Sequence, residues 1–330
     1  MHDPIVIRAA SVPVYGPRFA GPLSKAAAKL PLVVGNCLNN LNRGSIGCLE
    51  EYQPARATER AAEGTSEMNL LKALWLYRGF ISGSVKREFQ SKYRNSLLGA
   101  TWTILNPLAM IIVYTVIFSQ VMRSRLPGVD TTFAYSIYLC AGVLTWGLFA
   151  EIVGRGQNVF LEHANLIKKI SFPRICLPVI VIVSAGLNFL IIFCLFTLFL
   201  VVSGNFPGWP YLTLFPVLAV QILFSIGLAI ILGVLNVFFR DVGQLFGIVL
   251  QFWFWLTPIV YPSTILPEKV KSLMVFNPMA TFVAAYQEVL VNGIMPNWRH
   301  FIWIAGVSLG LCIFALRLFR KRAGEMVDEL

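Results

Sequence analysis

Along residues 175–239 no side chain carries a charge, and this 65-residue run is interrupted only midway, by Ser203-Gly204-Asn205-Phe206-Pro207-Gly208-Trp209-Pro210. A bilayer core about 30 Å thick takes about 20 apolar residues per helix, so the run predicts two membrane spans joined by a tight turn. Uncharged intervals at 95–122, 131–150 and 242–261 predict three more. A slightly short one at 298–319, with Arg299 and Arg317 near its ends, predicts a last. The pattern is that of an all-α integral membrane protein with six transmembrane helices.

Three segments outside the spans carry patterns of their own. In 84–98, Val85, Phe89 and Tyr93 recur every four residues, while Arg87 and Arg94 share the opposite stripe and Lys92 lies near the apolar border. This spacing predicts a basic amphipathic helix lying in the membrane interface, or else a cytoplasmic extension of the first span. In 158–174, Phe160, Ala164 and Ile167 fall on one helical face and Pro173 stops the helix. A short, half-apolar helix between two spans needs a partner surface, unless its basic residues serve only to set topology. From 262 to 296 the chain holds Pro262, Pro267, Pro278 and Pro296 around an apolar run at 279–286. Two short, partly re-entrant helices are expected there. Such backbone is tolerated at membrane depth only where protein buries it or where it lines a wet cavity, which points to a pathway.

Residues 1–67, rich in Ala, Pro, Gly and Arg without periodicity, read as a disordered cytoplasmic extension ahead of a membrane domain at 68–330. Either the extension is real or translation begins at Met68.

Charge sets the orientation. Arg155, Lys168, Lys169 and Arg174 lie between the second and third spans, Lys86, Arg87, Lys92 and Arg94 precede the first, and Arg317, Arg320, Lys321 and Arg322 end the chain. The opposite loops are poorer in cations, so both termini are expected in the cytoplasm. The composition agrees, with 57% hydrophobic and 13% charged residues and a mean hydropathy of +0.70. A net charge of +11 then marks a membrane surface and not a nucleic-acid footprint. The six cysteines, dispersed between spans and tail, read as unpaired thiols.

Catalytic patterns are missing. No Gly-x4-Gly-Lys-Ser/Thr loop is present, and His2, His163 and His300 lack metal-ligand spacing. Glu151 is the main ionisable residue inside a span, which weighs against an ion-coupled carrier. Arg240-Asp241 reads as a local ion pair fixing a turn. Small residues at helix-packing spacing (Ser225, Ala229, Gly233; Gly243, Gly247; Gly306, Gly310) suit close helix approach. Trp146 and Phe149 in the second span, and Trp253 and Trp255 in the fifth with Tyr261 beyond, are either interfacial bulk or a sugar-stacking conduit. A multipass glycosyltransferase would want outer-loop acids, and Asp130 is the only aspartate there.

In order and spacing, several motifs resemble the membrane subunits of type-2 ABC exporters for polysaccharides, the O-antigen and capsule permeases. They are Lys86-Arg87-Glu88-Phe89 through Tyr93-Arg94-Asn95-Ser96-Leu97-Leu98-Gly99, then Trp102 and Leu105-Asn106-Pro107. Next come Asn165-Leu166-Ile167-Lys168-Lys169 with Phe172-Pro173-Arg174, and Phe239-Arg240-Asp241-Val242. Leu256-Thr257-Pro258-Ile259-Val260-Tyr261-Pro262 and Asn277-Pro278 complete the set. The resemblance covers residues 70–322. One departure is Gln287, where similar permeases often carry Arg, and no role is carried to it. The resemblance implies a homodimer in the bacterial inner membrane, two copies of a separate ABC ATPase that holds ATP and Mg, and a lipid-linked glycan as cargo. A drug or small lipid is the alternative cargo. It further implies that the 158–174 helix docks on the ATPase and that the basic helix meets lipid headgroups. Trp146, Phe149, Trp253, Trp255, Pro258, Tyr261, Pro262, Asn277 and Pro278 are the expected path and outer gate.

Overall fold

The turn that divides the longest uncharged run rests on two glycines. Gly204 and Gly208 both have φ of 73°, a backbone region that side chains disfavour. A 3-10 turn, Trp209–Thr213, then leads with Pro210 into the next helix.

The computed structural model describes residues 74–92, 99–117, 133–169 and 173–330. They belong to one unit, Glu67–Leu330, and every element among them is helical. The chain runs α1 (Arg78–Lys92), α2 (Trp102–Thr115), α3 (Ala134–Gly156), α4 (Val159–Glu162), α5 (Ala164–Lys169), α6 (Cys176–Val202) and α7 (Leu214–Phe238). It continues with α8 (Asp241–Leu256), α9 (Glu268–Met274), α10 (Pro278–Gln287), α11 (Trp298–Arg322) and α12 (Glu325–Glu329). The expected extension at 1–67, Tyr93, Arg94 and Asp130 lie outside the described residues, as do the side chains of Lys92 and Lys169.

Among the described residues, four helices are long and apolar enough to cross a membrane: α3, α6, α7 with its 3-10 turn, and α11 from Phe301. The other two expected spans are shorter. α2 has 14 residues and α8 has 16. At 1.5 Å per residue they reach about 21 and 24 Å, less than the hydrocarbon core. α8 stops at Leu256, before the 261 read from the charge pattern. Thr257 precedes Pro258 and is held extended at φ −100°, ψ 134°.

α3 is the central helix. Of its apolar stretch 72% is covered by the rest of the chain, against 33% for α6 and 28% for α11. The latter two therefore leave most of their apolar stretch uncovered by the described residues. Small residues let α7 approach both neighbours. A Cβ on Gly156 of α3 would stand 2.6 Å from the Ala229 Cβ, and one on Gly233 would stand 2.8 Å from the Gly156 carbonyl oxygen. On the other side, a Cβ on Gly227 would meet the Cys312 backbone nitrogen of α11 at 3.1 Å. Gly247, Gly306 and Gly310 face open space and pack nothing in this chain, contrary to their sequence spacing.

α1 packs Ile81, Val85 and half-buried Phe89 against Cys176, Val179 and Ile180 of α6. It begins at Arg78, six residues ahead of the basic stretch read from 84. Between α8 and α11, α10 is buried through Met279, Phe282, Val283 and Tyr286, whereas α9 has no buried residue. Of the two short helices expected to dip inward, only α10 enters the body of the protein. The four described cysteines, Cys140, Cys176, Cys194 and Cys312, are free thiols.

Gly156→Val should therefore push α3 from α7 and lower stability by about 1–3 kcal/mol, the usual cost of overpacking. Thermal unfolding in detergent checks this, and an unchanged Tm would contradict the close approach.

Candidate functional site

The connector between α3 and α6 folds as two short helices, where the sequence predicted one from 158 to 174. His163 marks the break, at φ −107° and ψ 19°, with its Nδ1 2.9 Å from the Val159 carbonyl. Phe160 is 0% exposed and stacks on Phe319 of α11, with ring centroids 5.7 Å apart. Ile167 is buried in the same cluster, which also takes in Met326 of α12. The apolar stripe thus finds its partner within the chain itself. Outward face Glu162, Asn165 and Lys168, with Leu166 half-buried. Pro173 and Arg174 are half-exposed at the far end, where partial burial lowers the Arg174 guanidinium pKa from its usual value. Phe172 lies outside the described residues.

One buried amide joins this connector to the start of α8. Asn236 Nδ2 donates to the Gln157 carbonyl at 2.9 Å and to Asn158 Oδ1 at 3.0 Å, while its Oδ1 accepts from the Gly243 N–H at 2.9 Å. The nearby Arg240 and Asp241 are exposed and form no ion pair with each other. Asn236 therefore fixes the turn assigned from sequence to that pair. Its only sequence signal was an amide in a largely apolar helix that also holds Gln221.

A second polar node ties α1 to the membrane helices. Arg155 of α3 lies 2.5 Å from Glu88 of α1 and 3.5 Å from Glu151. Ser184 Oγ donates to Glu88 at 2.7 Å, and Asn188 Nδ2 donates to Glu151 at 2.8 Å, both from α6. Arg87, assigned to lipid headgroups, is exposed and donates to Ser84 Oγ at 2.9 Å.

At the opposite end, the chain leaves α8 at Thr257 and runs through Pro258 to Tyr261 without helical bonds. Tyr138 Oη donates to the carbonyls of Pro258 (3.2 Å) and Tyr261 (3.0 Å), and Tyr135 Oη donates to that of Val260 (2.7 Å). Gln287 Nε2 reaches the Tyr138 and Pro258 carbonyls at 3.4 and 3.3 Å. Asn277 caps α10 by accepting from Met279 and Ala280, accepts from Trp253 Nε1 at 2.8 Å, and donates to Thr257 Oγ1 at 3.2 Å. Tyr261 Oη donates to the Trp255 carbonyl at 2.8 Å. Pro262 and Pro278 bound the segment, leading into the Ser263–Ile265 turn and α10 respectively.

The aromatic residues assigned to a path divide into two groups. Trp146, Phe149 and Trp253 pack edge to face, with centroids 5.2–6.3 Å apart, and Trp146 and Phe149 are buried in the chain's own core. Trp255 is 61% exposed, on a face of α8 that also carries Gln244, Ile248 and Gln251. The two amides, seven residues apart, were not read from the sequence as part of this face.

Fold and surfaces define a multi-pass helical membrane protein whose interior is packed and whose polar groups tie helix ends together. The ABC-2 type transporter family model matches residues 81–291, and the chain belongs to that family. The O-antigen export system permease protein RfbA of Myxococcus xanthus is 33% identical over 266 residues, covering 80% of this chain and 100% of that protein. A Klebsiella pneumoniae protein of the same name is 31% identical over 236 residues, covering 71% and 88%. The polysialic acid transport protein KpsM of Escherichia coli is 22% identical over 248 residues, covering 74% and 93%.

Replacing Asn236 by Leu should leave the Gly243 N–H and the Gln157 carbonyl without their partner and cost about 1–3 kcal/mol for each unsatisfied group. Denaturation in detergent measures the loss, and a wild-type midpoint would show that the amide holds nothing.

Proposed function

We propose that this chain is the membrane subunit of an ATP-driven exporter that moves a lipid-linked surface polysaccharide, of O-antigen or capsule type, across the bacterial inner membrane. The full-length match to the Myxococcus O-antigen export permease carries this reading and favours a glycan over a drug or small lipid. Six spans cross the bilayer, α2 and α8 among them, and α10 is the re-entrant helix.

The connector and α12 share one end of the bundle, since Ile167 and Met326 meet there. That end holds Arg155, Lys168, Arg174, Arg320, Lys321 and Arg322, and the positive-inside bias makes it, with both termini, cytoplasmic. There the exposed Asn165 and Lys168, with Leu166 beside them, dock on an ABC ATPase. That partner supplies ATP and Mg, and two copies serve a homodimer. Exposed amides are costly against hydrocarbon, so the Gln244–Ile248–Gln251–Trp255 face of α8 lines a wet path between two permease copies, with Tyr261 and Pro262 at its outer end. Arg87, with Lys92 and Arg94, meets anionic headgroups at the inner leaflet.

Two experiments test this. A deletion strain should lose its surface polysaccharide while lipid-linked glycan accumulates inside. An intact surface glycan together with altered drug susceptibility would overturn the cargo assignment. Asn165→Asp with Lys168→Glu puts acid where a docking surface meets its partner, and ATPase co-purification should fall at least about tenfold while the permease still inserts. Undiminished co-purification and export would remove the connector from the docking surface.

A further inference from the structure

Helices α2, α3 and α6 enclose a half-open cavity of about 860 Å³, within the ~300–1,000 Å³ range of small-molecule sites. Its wall is largely apolar, including Met110, Leu144, Leu148 and Ile192, and among the described residues Glu151 is the one charged residue lining it. The surroundings leave that carboxylate weakly balanced. The Arg155 guanidinium is engaged by Glu88 at 2.5 Å and touches Glu151 only at 3.5 Å. The nearer partner of Glu151 is a neutral amide, Asn188 Nδ2 at 2.8 Å. Among the described residues of the linked network, two carboxylates face one guanidinium.

We propose that this cavity is a lipid site that holds one zwitterionic phospholipid, of the phosphatidylethanolamine type. An acyl chain lies along the Leu144–Leu148–Ile192 wall, and the headgroup ammonium sits at Glu151. The apolar wall calls for a hydrocarbon chain, and the under-compensated carboxylate selects a cationic group over an anionic one. A lipid pyrophosphate would bring about two negative charges against Glu151 in surroundings of low dielectric, which disfavours it. The site is therefore separate from the cargo route, and its occupancy goes beyond the export reading and does not rest on it.

Gly147 offers a clean test. It lines the cavity, and a Cβ at this position meets nothing within 4 Å, so Gly147→Phe fills the space without a backbone clash. Native mass spectrometry of the transporter, purified from membranes containing both ethanolamine and glycerol phospholipids, should show one ethanolamine lipid retained per chain. The enrichment over glycerol lipid should be at least about tenfold, and it should be lost in Gly147→Phe. Glu151→Gln should still retain lipid but without headgroup preference. Thermal unfolding of delipidated wild type, titrated with each phospholipid, needs no variant and should show greater stabilisation by the ethanolamine lipid. Equal stabilisation by both lipids, preference for the anionic one, or undiminished retention in Gly147→Phe would overturn the proposal. So would displacement of the bound lipid by added polyprenyl pyrophosphate.

Discussion

A buried carbonyl that leaves helical geometry must find a donor within the protein, and the break after α8 is built around this requirement. Pro258 removes one donor and holds Thr257 extended, so the helix cannot continue. The carbonyls of Pro258, Val260 and Tyr261 are met by Tyr135 and Tyr138 of α3 and by Gln287 of α10. Gln287 also reaches the Tyr138 carbonyl and so fixes α10 against α3. Asn277 adds the link from α10 back to Trp253, so these ends of α3, α8 and α10 hold together as one assembly. A Cβ on Gly142 would stand 3.0 Å from Gln287 Nε2, which shows how closely that amide is seated.

The connector end has a comparable clasp of different chemistry. Phe160 fills the space beside Gly233 and stacks on Phe319, so the connector is fused to α7 and α11. Asn236 then joins the end of α3 to the first turn of α8. A force applied to Asn165 or Lys168 cannot bend the connector alone. It must shift α3, α7 and the Asp241 end of α8 together, and α8 is also tied to α3 near its Leu256 end. Packed cores respond to such loads by switching between discrete arrangements, since close packing resists gradual deformation.

Much of this was legible in the sequence because a bilayer imposes length and polarity so strictly. The two spans within 175–239, their glycine turn and the last span emerged as helices near the expected bounds. What the charge pattern could not give was where a helix stops within an apolar run, since Leu256 and Tyr261 look alike to it and only Pro258 distinguishes them. Helical spacing placed Phe160 and Ile167 on one face correctly but could not say whether that face met another protein or the chain's own bundle. Glycine spacing failed for a similar reason. Gly233 packs and Gly306 does not, and the difference lies in which neighbour each meets.

The least legible features are the polar nodes, because each joins residues far apart in sequence. Glu88, Arg155 and Ser184 sit on three elements, and none belongs to a local pattern. Arg155 read as a topological charge and Glu151 as an exception within a span, while Asn236 drew no reading at all. A polar group in an apolar helix is costly unless paired, so each of these residues implied an unseen partner even where the sequence could not name it. The amides Gln244 and Gln251 on α8 carry the same implication, and both face outward from the described residues. By the logic that the Asn236 and Glu88 nodes obey, that face of α8 belongs against water or another protein surface, not against hydrocarbon.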